Sequence, residues 1–234
     1  MDPILFYGVP AGCSFGSIVA LEWSGRPYRL CRIEMPGVVG SPAYRRLNPL
    51  GETPTLITEG GNIFSQSLAI LQHIARSSTD PRMGPEVGAA GFDRLAEMLG
   101  FLHTSFFSAF SPLWQAFEGA EPGEKDVLRA VGQRKVRKAY DQLERLLDGH
   151  DWLVGDGPTV ADAYFAGIAR WNGFHKVLDR SQHPALDALQ ARLELEPAMQ
   201  FATAVEHEQE ARSGGGFRGH VSLAEALDGL RLAA

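Results

Sequence analysis

Apolar positions along this chain change their period once, near residue 75. Before that point they come in short runs punctuated by Gly and Pro. Ile4-Leu5-Phe6-Tyr7 closes at Gly8-Val9-Pro10-Ala11-Gly12, the pattern of a buried strand ending in a turn. A helix is predicted from Ser14 to about Ser24 on the apolar face Ile18, Ala20, Leu21 and Trp23, with Gly25 as its stop, and a second strand over 28–33. Residues 36–40 read as a loop and 42–46 as a short helical turn. Pro54 has no N–H for a strand ladder and pushes Thr53 toward an extended conformation, which leaves a backbone amide free at a strand's start. The runs on either side of Gly60-Gly61 read as a hairpin, and Ser65-Gln66-Ser67 before Leu68-Ala69-Ile70-Leu71 as a helix start, with the helix running from 66 to about 75. About four strands with helices on both faces are expected in the first 77 residues or so.

Residues 77–85 are polar and rich in turn formers, so they read as a linker, and beyond them no segment alternates like a strand. Everything after is read as helical. Phe92, Leu95, Leu99, Leu102, Phe106, Phe110, Leu113 and Phe117 recur at spacings of three and four, predicting one long amphipathic helix bent near Pro112. A second helix is predicted over 123–147. Residues 159–174 are apolar nearly all round, as suits a central helix, and Thr159 with Asp162 forms a capping pair at its start. Helices over 184–195 and 198–211 complete a bundle. Ser213-Gly214-Gly215-Gly216 then reads as a loosening of the chain before a last amphipathic piece over 223–232.

At 234 residues with 44% hydrophobic content the chain can bury a sizeable core. Its net charge of -6, without a basic run to track phosphates, argues against a nucleic-acid partner. No apolar run reaches membrane-spanning length, and Met1-Asp2-Pro3 opens without a basic leader, so a cytoplasmic protein without a membrane partner is expected. The histidines show no HxxxH spacing, and no metal site is expected. Two cysteines are too few for a disulfide framework. Cys31 sits in a strand and reads as a small buried hydrophobe, whereas Cys13 stands at a helix start, where amide donors lower a thiol's pKa. Ser14 fits an N-cap and a donor to a thiol equally well. Gln66 and Ser67, at a helix N-terminus beside the Pro54 loop, could hold a small anion. His103 lies at the edge of an apolar stripe, open to either a core or a functional role. Phe106, Phe110, Trp114 and Trp171 read chiefly as core, with one or two of them open to a pocket.

Taken in order, Leu5-Phe6-Tyr7, Pro10-Ala11-Gly12-Cys13-Ser14, Asn48-Pro49-Leu50-Gly51-Glu52-Thr53-Pro54, Ser65-Gln66-Ser67-Leu68-Ala69-Ile70, His103, Trp152-Leu153-Val154-Gly155 and Thr159-Val160-Ala161-Asp162-Ala163-Tyr164 resemble a glutathione S-transferase, most closely the bacterial beta class. The resemblance spans roughly residues 4 to 208. It implies an α/β thioredoxin-like N-terminal domain over 1–78 with Pro54 in a cis peptide bond, a linker over 79–88, an all-α helical domain over 89–211 and a C-terminal extension over 212–234. It also implies a homodimer that binds glutathione as co-substrate and conjugates it, in detoxification chemistry, to a small hydrophobic electrophile. By the same resemblance Cys13, Ser14 and His103 are the catalytic candidates. Thr53, Pro54, Gln66 and Ser67 are the glutathione-binding ones, with Thr53 pairing through its backbone. Three departures stand out: Gln66 replaces an acidic residue, a loop lysine has no counterpart in 36–40, and Ala96 replaces a polar residue. Two alternatives accompany this reading. One is glutathione-dependent thiol-disulfide reduction or lyase chemistry through Cys13, and the other a non-catalytic dimeric binding module of the same fold. The extension is read either as a cap on the cleft or as a mobile tail.

Overall fold

The computed structural model describes residues 1–85, 88–89, 91–147 and 149–233. Strand β1 (Ile4–Val9) is buried along its whole length because it runs through the middle of a sheet. It leads through helix α1 (Phe15–Ser24) to a parallel neighbour, β2 (Tyr28–Glu34), in a register that sets Tyr7 beside Arg32. A short helix α2 (Pro42–Arg45) follows, then the antiparallel hairpin β3 (Thr55–Ile57) and β4 (Ile63–Ser65), and helix α3 (Ser67–Ser77). β3 pairs with the other side of β1, Leu5 opposite Leu56. This half of the chain has a thioredoxin-like arrangement. Where a linker is expected, Pro81–Met83 forms a single 3-10 turn and Met83 is buried in the core, so the polar stretch is packed; its residues 86 and 87 lie outside the described ones.

The helical half consists of α4 (Phe92–Phe101), α5 (Ser111–Glu118), α6 (Pro122–Leu147), α7 (Val160–Ala169), α8 (Trp171–His175), α9 (Pro184–Glu194) and α10 (Pro197–Glu206). Two long predicted helices are interrupted. The one expected over 92–117 widens into a π-helical turn at Leu102–Phe107 and restarts at α5, with Pro112 in that helix's first turn, where its missing N–H costs nothing. The one expected over 159–174 breaks at Arg170 between α7 and α8.

Helix α1 is buried at every residue except Trp23, because the sheet covers one side and α7 the other. The contact is backbone to backbone. A Cβ at Gly16 would stand 2.4 Å from the Ala163 carbonyl oxygen, and one at Gly167 would stand 2.8 Å from the Gly16 nitrogen. α7 begins at the expected cap: Thr159 Oγ1 accepts from Ala161 N at 3.2 Å, and Asp162 Oδ2 accepts from Thr159 N at 2.8 Å. Asp162 does more than cap, since its Oδ1 also accepts from Leu153 N at 3.0 Å and ties down the preceding loop.

The tail overturns two expectations. Residues Phe217–His220 form a strand, β5, parallel to β2 at the edge of a five-stranded sheet ordered β4-β3-β1-β2-β5. The all-helical reading beyond the linker therefore fails here: β5 is too short and glycine-interrupted to show a period, and its partner is remote in sequence. Nor does Ser213-Gly214-Gly215-Gly216 loosen the chain. The buried Glu22 carboxylate accepts from Ser213 Oγ at 2.7 Å, from Gly214 N and Gly215 N at 3.0 Å each, and from the Tyr28 hydroxyl. A Cβ at Gly215 would lie 2.4 Å from the Glu22 carbonyl oxygen, and one at Gly216 1.9 Å from that of Arg26. These glycines are demanded by close approach. Helix α11 (Leu223–Ala233) then lays Ala226 and Leu227 against Phe6, Cys31, Ile33 and Tyr44 on the sheet face away from α1. The tail completes the N-terminal domain and covers the open edge of β2.

Replacing Glu22 by Gln puts an amide where a carboxylate meets four donors, so at least one donor is orphaned. Stability should drop by about 2 kcal/mol, read as a melting temperature lowered by about 4–8 °C; an unchanged melting temperature would remove the latch from the account. Asp162 gives a pH test. Burial pushes its carboxyl up to about 6, above the ordinary carboxylate range. Between about pH 4 and pH 6 the fold then holds a proton that the unfolded chain has released, so this group's contribution to stability falls as pH rises through that window. The stability difference between wild type and Asp162→Asn in urea should therefore shrink from about pH 4 to about pH 6 and stay level above. A difference that is flat or widens would mean the carboxyl stays ionised throughout.

Candidate functional site

The site begins where β1 ends. Gly8 leaves no room for a side chain, since a Cβ there would stand 2.2 Å from Thr53 Oγ1, and a Cβ at Gly12 would stand 2.2 Å from the Gly8 carbonyl oxygen. The chain thus folds tightly back on itself before α1 and meets the 48–54 loop. That loop is held from inside. Asn48 Nδ2 donates to the Glu52 carbonyl at 2.7 Å, and the Tyr44 hydroxyl donates to the same oxygen at 2.8 Å. Because a trans peptide sets its N–H opposite its C=O, pinning the Glu52 carbonyl inward turns the Thr53 N–H outward. The Thr53–Pro54 peptide is cis, as are Val9–Pro10 and Met35–Pro36.

Cys13 is half-buried and its Sγ donates to the Thr53 carbonyl at 3.1 Å. Burial raises its thiol pKa above the ordinary value; the Ser67 hydroxyl, its own backbone N–H and the Arg170 guanidinium pull the other way without winning, and Glu52 adds to the rise. Ser67 is buried at the first turn of α3, with its Oγ 3.5 Å from the Cys13 carbonyl oxygen. Gln66 precedes it at φ 74 and ψ 121, a conformation rare for a residue with a side chain. Such strain costs about 1–3 kcal/mol and collects at functional sites. Gln66 Nε2 lies 3.4 Å from Glu52 Oε2, so the only carboxylate beside the uncharged Gln66 among its described contacts comes from the 48–54 loop.

Four of the sequence-predicted residues, Cys13, Thr53, Gln66 and Ser67, therefore converge, with Pro54 behind them. Ser14 has a backbone partner of its own. It is fully buried, and its Oγ accepts from Gly8 N at 3.0 Å, bracing the end of β1; it makes no side-chain cap to α1 either. His103 sits on the π-helical turn of the helical half, bonded through Nδ1 to the Tyr164 hydroxyl at 3.0 Å and stacked on Phe107. Tyr164 is a neighbour of Cys13, and burial, with the thiol nearby, keeps its phenol protonated.

The residues that reach the loop from the α7–α8 junction are Arg170, which the sequence did not single out, and Trp171, which it read chiefly as core. Arg170 donates to the Gly12 carbonyl at 2.7 Å, and Trp171 Nε1 donates to the Ala11 carbonyl at 2.9 Å. Arg170 also pairs with Glu206 and lies over the Phe15 ring at 4.3 Å. The break in the apolar run of 159–174 at a lone arginine was the signal for it. Two cavities, of about 340 Å³ between α4 and α6 and about 580 Å³ beneath the tail beside Tyr7, Arg32 and His220, lie away from Cys13.

Residues 13–77 match the family model of the glutathione S-transferase N-terminal domain, and residues 98–197 that of the C-terminal domain. A glutathione S-transferase of Xanthomonas campestris is 30% identical over 205 residues, covering 86% of this chain and 97% of that protein. The chain belongs to the glutathione S-transferase family. Among solved structures, a sphingomonad glutathione S-transferase in complex with glutathione superposes with a TM-score of 0.77 at 27% identity, covering 87% of this chain and 98% of the other. A bacterial beta class glutathione S-transferase of Sphingomonas chungbukensis gives the same TM-score at 25% identity, covering 87% and 98%. In this family member Cys13 lies against the Thr53 carbonyl, and Ser14 braces the end of β1 through Gly8 N.

Ser14→Ala should orphan the buried Gly8 N–H and cost about 1–3 kcal/mol, measured by urea unfolding. A variant as stable as the wild type would show that the bond to Gly8 carries no weight.

Proposed function

We propose that this chain is a glutathione transferase that binds glutathione at the first domain and conjugates it to a hydrophobic electrophile held against the helical domain. The observation that carries the reading is the convergence of Cys13, the Thr53 backbone, Gln66 and Ser67 at the starts of two helices. The donor set fits the tripeptide. The first turn of α3, with the Ser67 hydroxyl, suits the carboxylate of the glutamyl end, and the outward Thr53 N–H and its carbonyl suit the central peptide. Glu52, beside Gln66, supplies the negative charge for the glutamyl amine that Gln66 itself lacks.

In the reaction the glutathione thiol loses its proton to solvent, its sulfur forms a bond to the electrophilic carbon, and the leaving group departs with its electron pair. Amides at the start of α1 stabilise the sulfur's charge. With its own pKa raised by burial, Cys13 stays a neutral thiol beside that sulfur at neutral pH. His103 and Phe107 stand on the electrophile's side, and the assembly is a homodimer.

Calorimetric titration of the reduced protein with glutathione tests this. The wild type should bind below about 1 mM, and Ser67→Ala and Glu52→Gln should each weaken binding by about tenfold, the value of one charge-assisted hydrogen bond. Absence of binding up to about 10 mM would overturn the assignment. Product analysis with an aryl halide should then give a thioether; a mixed disulfide on Cys13 with no thioether would replace conjugation by thiol-disulfide exchange.

A further inference from the structure

Two consecutive carbonyls of the loop entering α1 are held by two consecutive residues of the helical half. Ala11 O accepts from Trp171 Nε1 and Gly12 O from Arg170 Nη2, at 2.9 and 2.7 Å. Both donors are rigid. The Arg170 guanidinium is engaged on every side: Nε with the Gly167 carbonyl at 3.0 Å, Nη2 with Glu206 at 2.8 Å, and its face on the Phe15 ring. The Trp171 ring is wedged among Phe107, Phe110 and Trp114, with ring centres 5.2–5.6 Å apart. The peptides Ala11–Gly12 and Gly12–Cys13 are trans, since the cis bonds lie elsewhere. In a trans peptide the N–H points opposite the C=O. Drawing both carbonyls toward the helical half therefore turns the N–H groups of Gly12 and Cys13 the other way, and the Cys13 N–H acts on its own thiol.

We propose that Arg170 and Trp171 are positioning residues: by pinning the Ala11 and Gly12 carbonyls they aim the Gly12 and Cys13 amides at the sulfur in the site. The Cys13 N–H is among the groups that pull its thiol's pKa down against burial, and the Arg170 charge is another. An indole N–H and a fork-shaped guanidinium suit this task because each fixes a direction as well as a bond. Arg170 also links the loop to α10 through Glu206, so the same side chain joins the first domain, α7 and the segment that leads into the tail. That these amides also serve an incoming glutathione sulfur rests on the function proposed above; their action on Cys13 does not.

The test reads Cys13 in the protein without glutathione. Alkylation by iodoacetamide is followed against pH by peptide mass, with Cys31, fully buried on the other sheet face, as the silent internal control. Trp171→Phe keeps the ring and removes only the N–H; Arg170→Lys keeps the charge and loses the fork. Each should slow Cys13 alkylation near neutral pH by about threefold or more, with the apparent pKa raised by about half a unit, while circular dichroism shows an intact fold. Unchanged pH profiles in the folded variants would overturn the proposal. Should Arg170→Lys fail to fold because Glu206 loses its fork, Trp171→Phe alone decides. A wild type that does not bind glutathione sinks the functional reading and leaves this result standing, because the alkylation profile never involves glutathione.

Discussion

The touching backbones of α1 and α7 are the contact on which the rest of the molecule depends. Gly16 and Gly167 allow it, and no side chain could be added at either without displacing main chain. With α7 that close, α1 is enclosed between sheet and bundle, which is why its apolar residues do not gather on one face and why even Ser17 and Ser24 are buried. α7 is enclosed in the same way, every residue of it buried. Glycine here trades helix propensity for approach distance.

The site inherits its geometry from that approach. Because α7 lies against α1, its C-terminal end arrives beside the loop that precedes α1, and Arg170 and Trp171 can reach the Gly12 and Ala11 carbonyls. Backbone groups buried at an interface need partners, and here the partners come from the other domain. The thiol between them is subject to opposed influences. Burial and Glu52 favour the neutral form of Cys13, while Ser67, its own amide and Arg170 favour the thiolate, and burial prevails. One of the influences on this first-domain thiol, the Arg170 charge, therefore comes from the helical half.

The tail shows a different use of the same physics. β2 would be an exposed edge without it. β5 supplies the missing backbone partners, the Glu22 carboxylate collects the donors of the turn that leads there, and α11 covers apolar surface that the short α2 leaves open. A segment that the sequence presents as glycine-rich slack is held by close contacts because its glycines face carbonyls of α1's end and of the turn into β2.

Signals that act over a few residues were legible in the chain. The Pro54 loop, the Gly25 stop, the Thr159–Asp162 cap and the helix start at Gln66 and Ser67 are each set by local backbone chemistry. With the order of motifs they were enough to indicate a thioredoxin-like domain followed by helices, and four of the seven candidate residues, Cys13, Thr53, Gln66 and Ser67, lie close together in the fold. The hidden part was whatever depended on partners far along the chain. Ser14 reads as a cap or a donor, and the bond it accepts from Gly8 N shows only in the fold; β5 has no periodicity of its own, and its ladder lies on β2; Arg170 is one charge in an apolar run until the carbonyl of Gly12, 158 residues earlier, comes within reach. Local propensity, the Gly25 stop and the Thr159–Asp162 cap were therefore determined by sequence alone. Which buried polar groups satisfy one another was decided only by the tertiary structure, because a hydrogen-bond partner is chosen by distance in space, and that distance exists only once the chain has packed.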